Sequence, residues 1–398
     1  MKILVLNCGS SSVKYQIFDM KDEKVLAKGL AERIGISGSY ISHQKGSQSK
    51  KIFEIPLPSH KIAIEEIFKL LVDKNDGILD SLSEIDAVGH RIVNGGEDFL
   101  EATVVNEETY EKFKECINFA PLHNPYHIQG IDACLSLIPN VPQVMVFDTS
   151  FHQTMPKEAY LYALPYEWYE KYKIRRYGAH GTSHYYVSRR LAELMGRPVE
   201  KLKIITCHLG NGASLTAIKD GKSIDTSMGY TPLEGLVMGT RCGDIDSSIP
   251  LTMMEKESIS PKEMNDILNK KSGILGISGI SSDFRDVEEA AEKGHERSQI
   301  ALKVFSYRVK KYIGAYYAIL GGLDALVFTA GVGERSPIIR RMVCENMEHL
   351  GIKIDLDKNE VKGEEIKIST SDSKVEVWVI PTNEELMIAR DTLRLVKK

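Results

Sequence analysis

The sequence predicts an α/β protein built as two similar domains, and three observations carry that reading. Short apolar runs of strand length alternate with amphipathic helical stretches along each half of the chain. "KILVLNCGSSSVKYQIFD" from Lys2 is echoed by "KIITCHLGNGASLTAIKD" from Lys203. At this offset of 201 residues Lys2 meets Lys203, Gly9 meets Gly210 and Asp19 meets Asp220. A long-period echo of one supersecondary unit marks two related domains. Polar residues also gather where apolar runs end, the place where open α/β sheets bind ligands.

The elements follow in chain order. Ile3-Leu4-Val5-Leu6 is a short buried strand, and Val13, Tyr15 and Ile17 alternate along the next one. The Gly/Ser turn between them exposes N–H groups and hydroxyls with little bulk, which suits phosphate. The spacing is not that of a P-loop and no helix follows, so a phosphate here would be held by a hairpin; an ordinary turn explains the motif equally well. The polar stretch 37–51 reads as a surface hairpin or loop. "HKIAIEEIFKLLVDK" (60–74) places Ile64, Ile67, Phe68 and Leu71 on one helical face. "SPKEM" (260–264) is a capping box with Ser260 as cap and Glu263 closing it. The segment 297–320 is a long helix striped by Leu302, Phe305, Val309, Tyr312 and Tyr316, stopped by Gly321-Gly322. "VWVIPTNEELMIARDTL" (377–393) is a strand, then a helix capped by Thr382 with Glu385 completing the box, which leaves Glu384 without an assigned role.

Composition excludes several classes. A chain of 398 residues with net charge −4 has no basic field for nucleic acid or acidic membrane. No run of residues is long and apolar enough to span a bilayer. Six cysteines without a C-x-x-C argue against a zinc site or disulfide framework and for a cytoplasmic location.

The chemistry-bearing residues cluster at strand ends. Asp148 follows the apolar "VMVF", and Glu384 follows the strand at 377–380. Carboxylates so placed suit Mg²⁺, although each alone is also an ordinary helix-start acid. Gly331 and Gly333 precede Ser336-Pro337, a cap and first helical residue. Arg91 ends a strand and Arg241 lies in a Gly-flanked turn; the guanidinium fork binds carboxylate or phosphate. His123, His180 and His208 sit in Gly/Asn/Pro-rich loops. This set suits an anion-rich site without a nucleophile, the requirement of phosphoryl transfer.

"NCGSSSVK", "GHRIVNGGE", "APLHNP", "VFDTSFHQTMP", "RRYGAHGTSH", "HLGNGAS", "DTSMGYTPLEGLVMGTR", "GISSDFRD", "FTAGVGERS" and "PTNEELMIARDT" occur in that order over nearly the whole chain. In them the sequence resembles the acetokinase family of the sugar kinase/Hsp70/actin superfamily. The resemblance implies two related actin-like (ribonuclease H-like) domains, each a mixed sheet with a βββαβαβα core, with a cleft between them. Residues 1–150 plus 385–398 would form the first domain, closed by the C-terminal helix. Residues 151–384 would form the second, with the nucleotide site and the contacts of a homodimer. It also implies the reaction ATP + acetate ⇌ ADP + acetyl phosphate, with Mg²⁺ or Mn²⁺ as the metal.

The family pattern assigns roles by position. Asn7, Ser10, Ser12 and Lys14 would form the first phosphate loop, and His208, Leu209, Gly210, Asn211 and Gly212 the second. Asp283, Phe284, Arg285, Gly331, Val332 and Gly333 would surround adenosine. Glu384 with Asn7 would hold the metal, and Asp148 would orient it or the attacking acid. Arg91 and Arg241 would grip the carboxylate and the transferred phosphoryl group, with His180 bonded to that group and His123 nearby. The acid's methyl would lie against Val93, Leu122, Pro232 and Ala179. Three positions depart from the family's usual residues: Asn94 stands for histidine, Ala179 for phenylalanine and Ser247 for proline. Ala179 bears on which acid is taken, so a propionate or longer-chain acyl kinase is the nearest alternative. An actin- or Hsp70-like ATPase switch is the reading from another class, and it has no use for Arg91, Arg241 and the histidines.

Overall fold

A computed structural model of the chain describes residues 1–121 and 123–397. The chain divides into two compact units, Met1–Ser150 with Asn383–Lys398, and Phe151–Thr382. The first unit thus takes in Asn383 and Glu384, a correction to the expected boundary at 385. The reason is local: Asn383 caps the C-terminal helix Glu384–Val396, accepting from Leu386 N at 3.1 Å, so the helix and its cap stay together.

The first unit carries β1 (Lys2–Cys8), β2 (Ser12–Asp19), β3 (Lys24–Glu32), β4 (Tyr40–Lys45), β5 (Lys51–Glu54), β6 (Ala87–Ile92), β7 (Thr103–Val104) and β8 (Gln143–Phe147). They form one sheet in the order β5-β4-β3-β2-β1-β6-β8-β7. β1 is antiparallel to β2 and parallel to β6, so the sheet is mixed. The 37–51 stretch is less superficial than expected. Its strand β4 joins the sheet and buries Ile41, Ser42 and His43, because it pairs with β3 along six residues. On one face the helix His60–Leu71 buries Ile64, Ile67, Phe68 and Leu71, its 3.6-residue stripe. The C-terminal helix packs on β1, β6 and β8. A Cβ on Gly89 of β6 would lie 2.5 Å from Thr392 Oγ1 and 2.7 Å from Ile388 Cγ2, so glycine permits that close approach.

The second unit carries β9 (Lys203–Leu209), β10 (Ala213–Lys219), β11 (Lys222–Thr226), β12 (Ala325–Thr329), β13 (Ile366–Lys367) and β14 (Glu376–Val379), in the order β11-β10-β9-β12-β14-β13. β9 is antiparallel to β10 and parallel to β12, which is parallel to β14. The central order β3-β2-β1-β6-β8 of the first unit therefore recurs here as β11-β10-β9-β12-β14. The long helix Glu296–Leu320 buries Leu302, Phe305, Val309, Ile313 and Tyr316, and ends at Gly321 with φ 64°. Ser260 and Glu263 form the expected capping box, and Ser336 caps Pro337–Cys344. Ser247 precedes the helix Ser248–Glu257 with no side-chain cap bond. Among the described residues no helix is long and apolar enough to cross a membrane.

Candidate active site

In the first unit the β1–β2 turn is closed by Gly9 N donating to Ser12 O at 2.8 Å. His60 Nε2 donates to Gly9 O at 2.6 Å from below, a support that the sequence reading missed. Asn7 pairs with Lys14 across the hairpin, and Lys14 forms an ion pair with Glu385. Glu385 therefore serves Lys14 and not the helix cap, which corrects the capping box expected there. The expected cap, Thr382, is engaged instead in the second unit: its hydroxyl meets Ser183 Oγ at 2.8 Å and its N–H meets Glu334 Oε1 at 3.1 Å.

Parallel pairing of β6 with β8 brings Arg91 beside Asp148, which lies just beyond the end of β8. Arg91 Nη2 and Nε reach Asp148 Oδ2 at 2.6 and 3.1 Å, and the carboxylate is only 1% exposed. Burial alone would lower the Arg91 pKa; Asp148, Glu384 and Glu385 outweigh it and raise it. Glu384 is driven the other way. Burial, with the charges of Asp148 and Glu385, raises its pKa against the pull of Arg91 and Lys14. Its Oε1 is buried and has no hydrogen-bond partner among the described residues. A buried carboxylate oxygen in that state fits a divalent cation. Among the described residues no three His, Cys, Asp or Glu side chains cluster as a metal cage. A single buried carboxylate is a donor that Mg²⁺ accepts, since it takes one or two carboxylates and completes its shell with water and phosphate oxygens. Val93 is half-buried just past β6, and His123 leads into the helix Asn124–Leu137. Asn94 is buried, accepting from Gly96 N at 2.8 Å and from Asn124 Nδ2 through its carbonyl at 2.9 Å, so it braces this loop. Leu122 lies outside the described residues.

In the second unit His180 has φ 56° and precedes the helix Gly181–Met195. Its ring stacks on that of His208, with centroids 4.0 Å apart and planes at 18°. His180 Nδ1 and His184 Nε2 both meet Ser214 Oγ, at 2.9 and 2.8 Å, and Ser183 Oγ meets His208 Nδ1 at 2.7 Å. His184, also missed, is fully buried, and burial holds its pKa well below the usual value; its i,i+4 spacing from His180 in "HGTSH" was the available signal. The Gly210–Gly212 turn runs past this stack. A Cβ on Gly212 would lie 3.5 Å from both His180 Nε2 and Arg241 Nη1, so this turn, this histidine and this arginine converge. Arg241 Nη1 donates to Pro232 O at 3.3 Å. It is half-buried, has no ion pair among the described residues, and burial lowers its pKa.

Next to the turn lies a cavity of about 400 Å³ lined by Gly210, Asn211, Asp283, Phe284, Arg285, Glu288, Gly331 and Val332, among others. A Cβ on Gly331 would meet no atom within 4 Å. Leu209 and Gly333 are not in its lining. Leu209 is fully buried in the core, and a Cβ on Gly333 would press on Cys207 O and the Phe328 carbonyl carbon at 3.4 Å. Ala179 is 5% exposed and packs with the same core.

The repeated strand order, with a small-residue hairpin turn at the same place in each copy, defines a duplicated actin-like α/β fold. Residues 2–390 match the model of the Acetokinase family, and the chain belongs to that family. It is 78% identical to the acetate kinase of Dictyoglomus thermophilum, with 100% of each chain covered. Its fold matches the crystal structure of Porphyromonas gingivalis acetate kinase with a TM-score of 0.96, at 49% identity and 99% coverage of both chains. A propionate kinase from Francisella tularensis matches with a TM-score of 0.93, at 45% identity and the same coverage.

Proposed function

We infer that the chain is an acetate kinase, an ATP:acetate phosphotransferase that reversibly forms acetyl phosphate and ADP. The observation that carries this is Arg241: a half-buried guanidinium without a carboxylate partner among the described residues, beside His180 and the glycine turn Gly210–Gly212. Such a group is an anion receptor, and the family supplies the anions.

Arg241 and Arg91 grip the acetate carboxylate and the phosphoryl group in flight. His180 donates to the phosphoryl oxygens, held in place by Ser214 and the His208 ring. His208, Asn211 and Gly212 cradle phosphate on one unit, and Asn7, Ser10, Ser12 and Lys14 do so on the other. Adenosine occupies the cavity beside Gly331. Mg²⁺ or Mn²⁺, held by Glu384 and Asn7, would neutralise charge on the phosphate oxygens. Asp148 fixes the Arg91 fork and orients the groups around it. Acetate is already ionised at neutral pH, so no general base is needed and direct in-line transfer suffices without a phosphoenzyme. Val93, Pro232 and Ala179 bound the acid's methyl, with His123 nearby. A longer acid is the second reading, favoured by the small Ala179 side chain.

The protein acts as a cytoplasmic homodimer without nucleic-acid or membrane partners. The unpaired cysteines are consistent with a reducing compartment. Exposed Ile249 and Leu251, and Val304 and Tyr307 on the long helix, supply apolar surface for a second copy. Hydroxylamine trapping of acyl phosphate tests the activity. ATP consumed without trappable product for any short acid refutes it.

A further inference from the structure

Arg176 lies four residues before His180 and has no place in the reaction described above. Its Nη1 lies 3.0, 3.2 and 3.1 Å from the carbonyl oxygens of Thr226, Ser227 and Met228. Its Nη2 donates to Glu234 Oε1 at 2.6 Å. The other oxygen of Glu234 accepts from Tyr162, whose hydroxyl in turn accepts from Tyr230 N at 2.8 Å. One guanidinium thus ties both ends of the loop 226–234. The backbone repeats the tie, since Tyr177 N and Gly178 N both donate to Gly229 O at 3.1 Å. At Gly229 a Cβ would stand 1.7 Å from Glu234 Oε2 and 2.2 Å from the Tyr162 hydroxyl. The loop is therefore shaped around the ion pair.

The loop matters because of what it carries. Pro232 sits near its end, and Pro232 O accepts from Arg241 Nη1. The segment on the other side of the clamp runs directly into Ala179 and His180. We propose that the Arg176–Glu234 pair is a positioning element for acid binding, setting the register between the 176–180 segment and the 226–234 loop. Pro232, Arg241 and His180 then keep one spacing. The adenosine cavity is built chiefly on 282–288 and 331–336, with Gly210 and Asn211 from the turn beside His180, and none of the clamp's hydrogen bonds reaches a residue of its lining. The proposal rests on the roles given above to Arg241 and His180.

The test separates the acid from the nucleotide. Arg176→Met should raise the KM for acetate about tenfold or more while the KM for ATP stays within about twofold, because a small misplacement of substrate-gripping groups is costly. Arg176→Lys keeps the charge, but a single ammonium cannot serve three carbonyls and Glu234 together, so it should fall between the two. Glu234→Gln, which keeps the Tyr162 contact, should shift acetate alone in the same direction by about threefold. It serves as the second variant should Arg176→Met fail to fold. Parallel rises in both KM values, or no rise in either for Glu234→Gln, overturn the proposal. Arg241→Ala run alongside separates the two claims. If it abolishes turnover while the Arg176 and Glu234 variants behave as wild type, the clamp alone is refuted. If Arg241→Ala is itself silent, the role of Arg241 falls and the clamp with it.

Discussion

Removing Arg91 should damage the protein twice, and the two effects can be separated. Asp148 is 1% exposed and receives two hydrogen bonds from the Arg91 fork. Arg91→Ala leaves that carboxylate buried without its cation, a change that costs about 3–5 kcal/mol. The Arg91 side chain is itself 22% exposed, so water reaches the pair and the lower end of the range applies. For a unit of this size each kcal/mol moves Tm by about 2–4 °C, so a drop of about 6–12 °C is expected. Turnover should fall independently, by about 3 kcal/mol of transition-state stabilisation or about a hundredfold. Calorimetry reads the first effect and hydroxylamine-trapped acetyl phosphate the second. The double variant Arg91→Ala/Asp148→Asn removes the stranded charge, so it should recover most of the Tm and none of the turnover. A single variant with wild-type Tm refutes the buried-charge reasoning. A double variant that regains turnover along with stability removes Arg91 from the reaction.

Three further outcomes are expected. Gly331→Gln should fold normally, since a Cβ there meets nothing, and should fill the cavity; ADP binding by calorimetry should weaken about tenfold while the KM for acetate holds, and unchanged ADP affinity would place the nucleoside elsewhere. Ala179→Phe should raise acetate turnover and lower the propionate-to-acetate ratio of kcat/KM by about fourfold, the worth of one buried methylene at about 0.8 kcal/mol; if neither moves, residue 179 does not contact the acid. Burial pushes the Asp225 carboxyl up to about 6, with Glu234 adding to it and Arg176, the Thr226 N–H and Tyr316 opposing it. The folded chain therefore holds a proton that the unfolded chain has already released, and stability declines as pH climbs from about 4 to about 6. Asp225→Asn should stabilise by up to about 3 kcal/mol at pH 8 and by almost nothing below pH 4 in urea titrations; a gain that does not grow with pH defeats the argument.

Local rules were readable from the sequence wherever the partners were local. The Ser260–Glu263 box, the Ser336 cap, the Gly321 stop and the stripe on His60–Leu71 each need only neighbours within a turn. The duplicated hairpin was legible because both copies preserve the small-residue turn. Reading failed where a distant partner decided the outcome. Thr382 looks like a cap, yet Ser183, 199 residues away, engages its hydroxyl, and Asn383 takes the role. Glu385 fits a capping box by spacing, yet Lys14 claims it. The Arg91–Asp148 pair depends on β6 lying beside β8, and nothing in either segment announces that adjacency. His60 and His184 support the site through Gly9 O and Ser214, contacts that only the folded chain creates.

The first unit is assembled from both ends of the chain, and this bears on when the protein can finish folding. During synthesis Met1–Ser150 emerges early, but the face of β1, β6 and β8 stays uncovered until the helix Glu384–Val396 leaves the ribosome. Until then Gly89 has no helix to receive, and Arg91 and Asp148 wait without Glu384. The second unit is one continuous stretch and can close while its C-terminal flank is still being made. A nascent chain stalled before residue 383 should therefore protect the second unit from protease while leaving the first open to cleavage. The helix Glu384–Val396 thus completes the cluster of Arg91, Asp148 and Glu384, and a chain stopped before it lacks that cluster's third member.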